Sequence, residues 1–430
     1  MHWLIVASLL AANPDPSGAR QSEAGGREEK GQPASQETSS EKQAADEKRK
    51  LEEEIAREIG GQPASPAAPG ATAAQGGSAA AQTPPDRGGQ GQTGGNPFGR
   101  LMLLPDVSAI GSGALAWNRL DVATLSPRSE PFAPASEVRP VFQELELALQ
   151  AVVDPYARAD VFLAFGDEGA ELEEAYLTTL RLPAGLQVRG GKLYAPFGRL
   201  NQQHPHTFEF VDRPLALARL LGPDGFGGPG VDVAWLAPTP WFAELHVAYQ
   251  ALTPGFQEAS RNGGVARLVQ FFDVGEASTL GVGFSGGLLD EPGAGARDLL
   301  GGDVYLKVRP PRARSYVALQ GEVVARRLRG VVAPEGEEAP ADAAGTEWGG
   351  YAQAVYRHGP YFAYGARYER APAVAGGPEH RVSALASWLP SEFQRIRLQI
   401  SYDRLPGGQD GLEALLNLQF GIGAHGAHPF

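Results

Sequence analysis

The sequence predicts an all-β protein: a transmembrane antiparallel β-barrel of about 16 strands, preceded by a disordered N-terminal segment with one short helix. Three observations lead there. From residue 97 onward, apolar and polar residues alternate with a period of two in stretch after stretch. The connections between these stretches are tight and long by turns. The polar face of the stretches carries many charges, which a dry core could not hold unpaired.

The last stretch, residues 411–424, shows the pattern most cleanly. Leu416, Leu418, Phe420, Ile422 and Ala424 alternate with Asn417, Gln419, Gly421 and Gly423. A strand puts successive side chains on opposite faces, so this one has a greasy and a wet face over about nine residues, enough to cross a bilayer at a tilt. An open strand edge in lipid leaves N–H and C=O groups unpaired at several kcal/mol each, so such a strand requires a closed barrel upstream. Candidate strands lie near 107–117, 139–153, 156–167, 171–182, 185–195, 228–237, 241–251 and 264–274. The others lie near 278–289, 299–310, 313–328, 346–358, 360–371, 380–389, 393–404 and 411–424.

Turns after the even-numbered strands are tight, as at Asp154-Pro155, Pro310-Pro311 and Gly359, whereas most odd-numbered strands are followed by longer segments such as 196–227, 252–263 and 329–345. Short periplasmic turns opposite long outer loops are the pattern of outer-membrane barrels. The tight turns are therefore expected inside the cell envelope and the loops outside.

Composition bounds the rest. The chain has 430 residues, 56 glycines, 35 prolines, no cysteine and a formal net charge of −13. Without cysteine there are no disulfides, thiolate metal sites or cysteine nucleophiles. The acidic balance speaks against nucleic acid as a partner. Residues 1–19 read as a signal peptide: a short apolar run, then Ser17 and Ala19 as a small-x-small cleavage site, though the basic n-region is missing. Residues 20–96 are too poor in large apolar side chains to fold and are expected to be disordered, apart from a helix at 41–59 with Leu51, Ile55 and Ile59 on one face. That helix is either solvated alone or a weak coiled coil through which a homo-oligomer or a tether could form. The barrel domain is 97–430.

Alternation assigns the lumen face. Ile396, Leu398, Ile400 and Tyr402 face lipid, while Arg395, Arg397, Gln399 and Asp403 face inward; Asp303, Lys307 and Arg309 do the same on their strand. The same rule sends in Glu144, Glu146, Arg158, Asp160, Arg189, Glu244, His246, Glu322, Arg326, Arg357, Arg367, Glu369 and Arg381, and Lys192 is counted with them as pore-lining on account of the Gly190-Gly191 pair before it. The plain alternative for each is a solvated or paired wall charge. Roughly a dozen inward Arg and Lys against about nine Asp and Glu predict a weak anion preference. A bulge at Gly190-Gly191 would exchange Arg189 and Lys192 between faces.

The longest insertion, 196–227, carries Asn201, Gln202, His204, His206, Glu209, Asp212 and Arg213, then PLALARLLG, two turns of helix ended by Gly222. His204 and His206, two apart, offer metal-ligand types, with Glu209 and Asp212 nearby; zinc is the candidate ion, and hydrogen bonds from loop to wall are the alternative. No nucleophile elbow, phosphate loop or HExxH is present, so an enzyme is not expected. The stretch GKLYAPFGRLNQQHPHTFEFVDRP, 191–214, resembles the zinc-regulated TonB-dependent outer membrane receptors and, more distantly, phosphate-selective porins. The resemblance covers roughly the barrel and implies an outer-membrane location and metal-linked transport. Porins fold inward, as a constriction, the loop at the position of 196–227. The chain departs from the receptor pattern in that residues 20–95 are too short and polar for a plug. The expected function is passive diffusion of small hydrophilic solutes or ions through a bilayer-embedded channel. The alternatives are metal or metal-chelate uptake, and a structural tether to the cell wall.

Overall fold

The computed structural model describes residues 105–119, 137–167, 169–253, 261–291, 295–329, 345–372, 377–406 and 408–423. Sixteen strands run through them: β1 (Asp106–Asn118), β2 (Arg139–Asp154), β3 (Ala157–Gly166), β4 (Gly169–Thr179), β5 (Leu186–Tyr194), β6 (Gly227–Leu236), β7 (Phe242–Leu252) and β8 (Arg261–Asp273). Then come β9 (Thr279–Glu291), β10 (Gly295–Val308), β11 (Tyr316–Arg329), β12 (Thr346–His358), β13 (Phe362–Pro372), β14 (Pro378–Ser391), β15 (Gln394–Arg404) and β16 (Asp410–Gly423). Each pairs antiparallel with its sequence neighbours, and β1 closes on β16 from Ser108↔Gly423 to Asn118↔Glu413. No edge is left, as lipid demands. The expected signal peptide, the segment 20–96 with its helix, most of loops 252–263 and 329–345, and Ala424 lie outside the described residues.

The turns form where their residues dictate. Between β2 and β3 the carboxylate of Asp154 accepts from the N–H groups of Tyr156 and Ala157 at 2.7 and 2.8 Å, an Asx turn that reverses the chain. Outward positions are apolar along the strands, with Leu288, Leu300, Val304 and Leu418 among those exposed. Exposed aromatic residues gather at both ends: Trp235, Phe242, Phe362, Trp388 and Phe420 at the tight-turn end, and Phe142, Tyr249, Trp348, Tyr368 and Tyr402 at the other. Aromatic girdles around an apolar belt match the two interfaces of a bilayer.

The lumen receives a loop of the chain itself. The segment between β5 and β6 folds into the barrel and carries two short 3-10 turns, Leu200–Gln202 and Pro205–Thr207, and one helix, α1 (Leu215–Leu221), as its sequence foretold. α1 is buried on every side against β11, β12 and β13. Phe197, Leu200, Phe208, Leu217, Leu220 and Phe226 form an apolar core with the wall residues Leu252, Val265, Leu289, Leu299 and Val324. Glycines on the wall let the loop approach. A Cβ at Gly301 would come within 2.9 Å of the Phe197 ring, and one at Gly365 within 3.1 Å of the Phe210 ring.

Two bulges break the alternation on the wall facing the loop. In the β1–β2 ladder Ser112 pairs with Glu144 and Gly113 with Phe142, so Gln143 is an extra residue; in the β3–β4 ladder Phe162 pairs with Glu174 and Leu163 with Leu172, so Glu173 is. Each bulge turns two consecutive polar side chains inward, Gln143 with Glu144 and Glu173 with Glu174. The expected bulge at Gly190-Gly191 is absent: β5 runs against β6 without a shift from Leu186↔Trp235 to Tyr194↔Gly227.

Candidate functional site

The site is the loop and the wall charges that receive it. A chain segment brought into a barrel must have its N–H and C=O groups satisfied there. The wall supplies the partners. Glu322 on β11 accepts from the Arg199 and Leu200 N–H groups at 3.1 and 2.8 Å, and Gln399 on β15 accepts from Val211 N–H at 2.8 Å. Arg397 donates to the carbonyls of Phe208 and Phe210 at 2.9 and 3.0 Å, and Arg395 to those of His206 and Phe208, both at 2.8 Å. Glu369 accepts from Leu215 N–H, and Arg219 of α1 bonds Glu379 and the Pro372 carbonyl. At the neck, the Asn201 amide bridges the carbonyls of Ala195 and Phe226 at 3.0 and 2.7 Å and accepts from Phe226 N–H and from Arg213.

Asp212 sits at the centre of a buried charge network. It bonds Arg367, Arg381 at 2.7 Å and Gln399 at 2.8 Å; Arg367 also pairs with Glu369, and Arg381 with Asp403 and Glu413. Burial opposes ionisation of Asp212, but the two guanidiniums outweigh it and lower its pKa from 3.8 to about 2.

The two histidines meet a second cluster. His204 Nδ1 lies 3.0 Å from Glu146 and 3.2 Å from Glu173, its Nε2 2.9 Å from Glu174, and His206 Nδ1 is 3.0 Å from the same Glu146 oxygen. The rings stack at 5.9 Å, with Phe162 packed 4.5 Å from His204. Burial disfavours a charged His204, yet its hydrogen bonds to Glu146, Glu173 and Glu174 raise its pKa well above the usual 6.5. Glu144, Glu146 and His206, or Glu146, Glu173 and His204, each present three ligand atoms within 4.8 Å of one another, so these residues could hold a metal ion.

Several expectations change. Lys192 is not in the lumen: with no bulge at Gly190-Gly191 it takes the face opposite Arg189 and Leu193, and bonds Glu171 and the Leu172 carbonyl. Glu146, Glu322, Arg367, Arg381 and Arg397 do point inward, but lie buried against the loop, so they hold it rather than line a water path. Arg326 pairs with Glu347 and reaches the Leu220 carbonyl at the end of α1. The acidic partners of the histidines come from β2 and β4, and not from Glu209 and Asp212 as their proximity in sequence suggested. Glu173 and Glu174 were missed because alternation sends one of any adjacent pair outward.

Other residues keep contact with the remaining space. Arg158 pairs with Asp160 while 44% of its side chain stays exposed, and Arg189 pairs with Asp232, which also meets His246; His246 in turn bonds Glu244. A cavity of about 190 Å³ lies between Arg189, Glu244, His246 and the loop residues Arg199, Gln202 and Gln203. Lys307, Arg357 and Arg395 stand at the tight-turn ends of their strands, and Arg309 in the turn after β10. None of these four shows a carboxylate partner among the described residues: Lys307 lies over the Tyr316 ring, Arg309 bonds the Ala313 carbonyl, Arg357 that of Pro360, and Arg395 the loop. Glu209 is half-buried on the loop.

No family model matches the sequence. The chain is 33% identical to an uncharacterised protein of Aquifex aeolicus (strain VF5) over 326 residues, 66% of this chain and 69% of the relative. Among solved structures, its fold is similar to the high-pH structure of Pseudomonas putida OprB, with a TM-score of 0.53 at 11% identity over 76% of this chain and 97% of that one. It is also similar to the outer membrane channel DcaP of Acinetobacter baumannii, with a TM-score of 0.51 at 13% identity over 74% and 97%. An anion-selective porin from Comamonas acidovorans aligns with a TM-score of 0.50 at 11% identity over 74% and 99%. At such identities the likeness is one of fold: a closed antiparallel barrel of the porin type.

Proposed function

We propose that this chain, which belongs to one family with the uncharacterised Aquifex aeolicus protein, is an outer-membrane channel for passive diffusion of small hydrophilic solutes, narrowed by its own loop and leaning weakly toward anions. The observation that carries the preference is the basic mouth. Lys307, Arg309, Arg357 and Arg395 stand at the tight-turn end without carboxylate partners among the described residues, whereas Asp212, Asp232, Asp303, Glu369 and Asp403 are each paired with an arginine. Rings of basic side chains favour anions. The net charge of −13 counts the segment before the barrel and the outer loops too, and charges away from the path are screened beyond about 8 Å at physiological salt. The name of the Comamonas protein, an anion-selective porin, agrees with this reading.

Energised uptake in the manner of a TonB-dependent receptor rests on the 191–214 motif alone. Liposome swelling tests passive diffusion. Vesicles carrying the purified full chain should swell in small sugars and salts, and more slowly as solute size grows. Swelling no faster than in empty vesicles contradicts the proposal.

A further inference from the structure

We propose that His204 and His206, with Glu146 and Glu173, bind a divalent transition-metal ion of the zinc class, and that this ion ties the lumen loop to β2 and β4. The donor atoms are already gathered. Glu146 Oε2 is 3.0 Å from Nδ1 of both histidines, and Glu173 Oε2 is 3.2 Å from Nδ1 of His204. Around a tetrahedral zinc with bonds of about 2.0–2.1 Å, donor atoms stand about 3.3 Å apart. A small relaxation therefore admits the ion, and Glu146 is common to both possible ligand sets.

Charge points the same way. Glu144, Glu146, Glu173 and Glu174 bring four carboxylates to two imidazoles in a region where both histidines and Glu146 are nearly inaccessible. The adjoining cavity adds one carboxylate, Asp224, and two guanidiniums, Arg213 and Arg397. With the imidazoles neutral, as metal ligation requires, these five carboxylates face two guanidiniums, and a buried excess of charge is costly unless neutralised. A divalent cation supplies that neutralisation. Two imidazoles among the donors select a borderline ion over magnesium or calcium, which prefer all-oxygen shells.

The backbone is shaped for this cluster. The bulges at Gln143 and Glu173 lie on the two strands that face the histidines, and the second brings Glu173 inward beside Glu174. Bulges that re-aim side chains concentrate at working sites. A cavity of about 110 Å³ lined by Glu144, Glu173 and His206 adjoins the cluster.

The test is calorimetric titration of the EDTA-stripped full chain in detergent with zinc chloride alone, and with magnesium chloride for comparison. The expected result is one equivalent of zinc bound and no saturable magnesium binding. The paired substitution His204→Gln and His206→Gln should weaken zinc binding about 100-fold or more, while Glu209→Gln leaves it unchanged. Zinc K-edge absorption of the unaltered chain should show imidazole scattering, which keeps the test decisive should the paired variant not fold. No saturable zinc site, undiminished affinity in the paired variant, or a spectrum without imidazole each overturns the proposal. The channel reading stands apart: vesicles that swell around a protein blind to zinc remove this inference alone.

Discussion

Arg381 on β14 donates to Asp212 in the lumen loop at 2.7 Å, so a wall strand grips the middle of the segment that fills the barrel. The same guanidinium holds Asp403 and Glu413, and Arg367 holds the other oxygen of Asp212. Removing the Asp212 charge leaves Arg367 with Glu369 and Arg381 with Asp403 and Glu413 on the wall, so what is lost is the charged tie from loop to wall, about 1.5–3 kcal/mol. Asp212→Asn should therefore loosen the loop while the barrel persists. Protease cleavage between residues 205 and 214 should appear in the variant under conditions where the unaltered chain is intact, with the SDS-resistant band of the folded barrel retained.

Acid should act through the same residue. The folded pKa of Asp212 is depressed, from 3.8 to about 2. Its contribution is therefore fully present above pH 3.8 and is lost as pH falls through about 2, because the unfolded or undocked carboxyl takes up a proton first. The loop should stay docked at pH 4 and loosen between pH 3.8 and 2. Conductance noise followed across that range checks this, and Asp212→Asn should flatten the change.

The anion preference should follow the basic mouth. Lys307 lies over the Tyr316 ring and Arg357 bonds the Pro360 carbonyl, both away from the loop, so Lys307→Gln with Arg357→Gln should remove charge without undocking it. The reversal potential in a tenfold salt gradient should move toward the cation value. Glu209→Gln should move it the other way, since Glu209 is the loop acid left beside that mouth; Asp212 is already neutralised by arginines.

Wall glycines offer a steric test. A Cβ at Gly301 would approach the Phe197 ring to 2.9 Å, and valine there adds two further carbons in a packed interior. Overpacking of this kind costs about 1–3 kcal/mol and should be relieved by displacing the loop. Gly301→Val should raise the frequency of large-conductance openings over the unaltered protein.

All sixteen strands were legible in the sequence because a half-wet, half-lipid face enforces period two along each of them, as in Leu416 to Ile422. α1 was legible too, from PLALARLLG and its terminal Gly222. The loop's reception was not. Asp212 and Arg381 are 169 positions apart, and which wall charge meets which loop group depends on register accumulated over many strands. Alternation correctly pointed Arg397 and Glu322 inward, but could not tell a charge facing water from one spent on a loop carbonyl or N–H. It failed outright where it missed a bulge, at Glu173, and where it assumed one, at Lys192.

Single-channel recording in planar lipid addresses the central claim most directly. A closed barrel with a docked loop and a water-filled remainder should give discrete, reproducible conductance steps with a modest anion preference, and Asp212→Asn should give larger ones. A folded, SDS-resistant protein that inserts but yields no steps in either form would contradict the account of a diffusion channel narrowed by its loop.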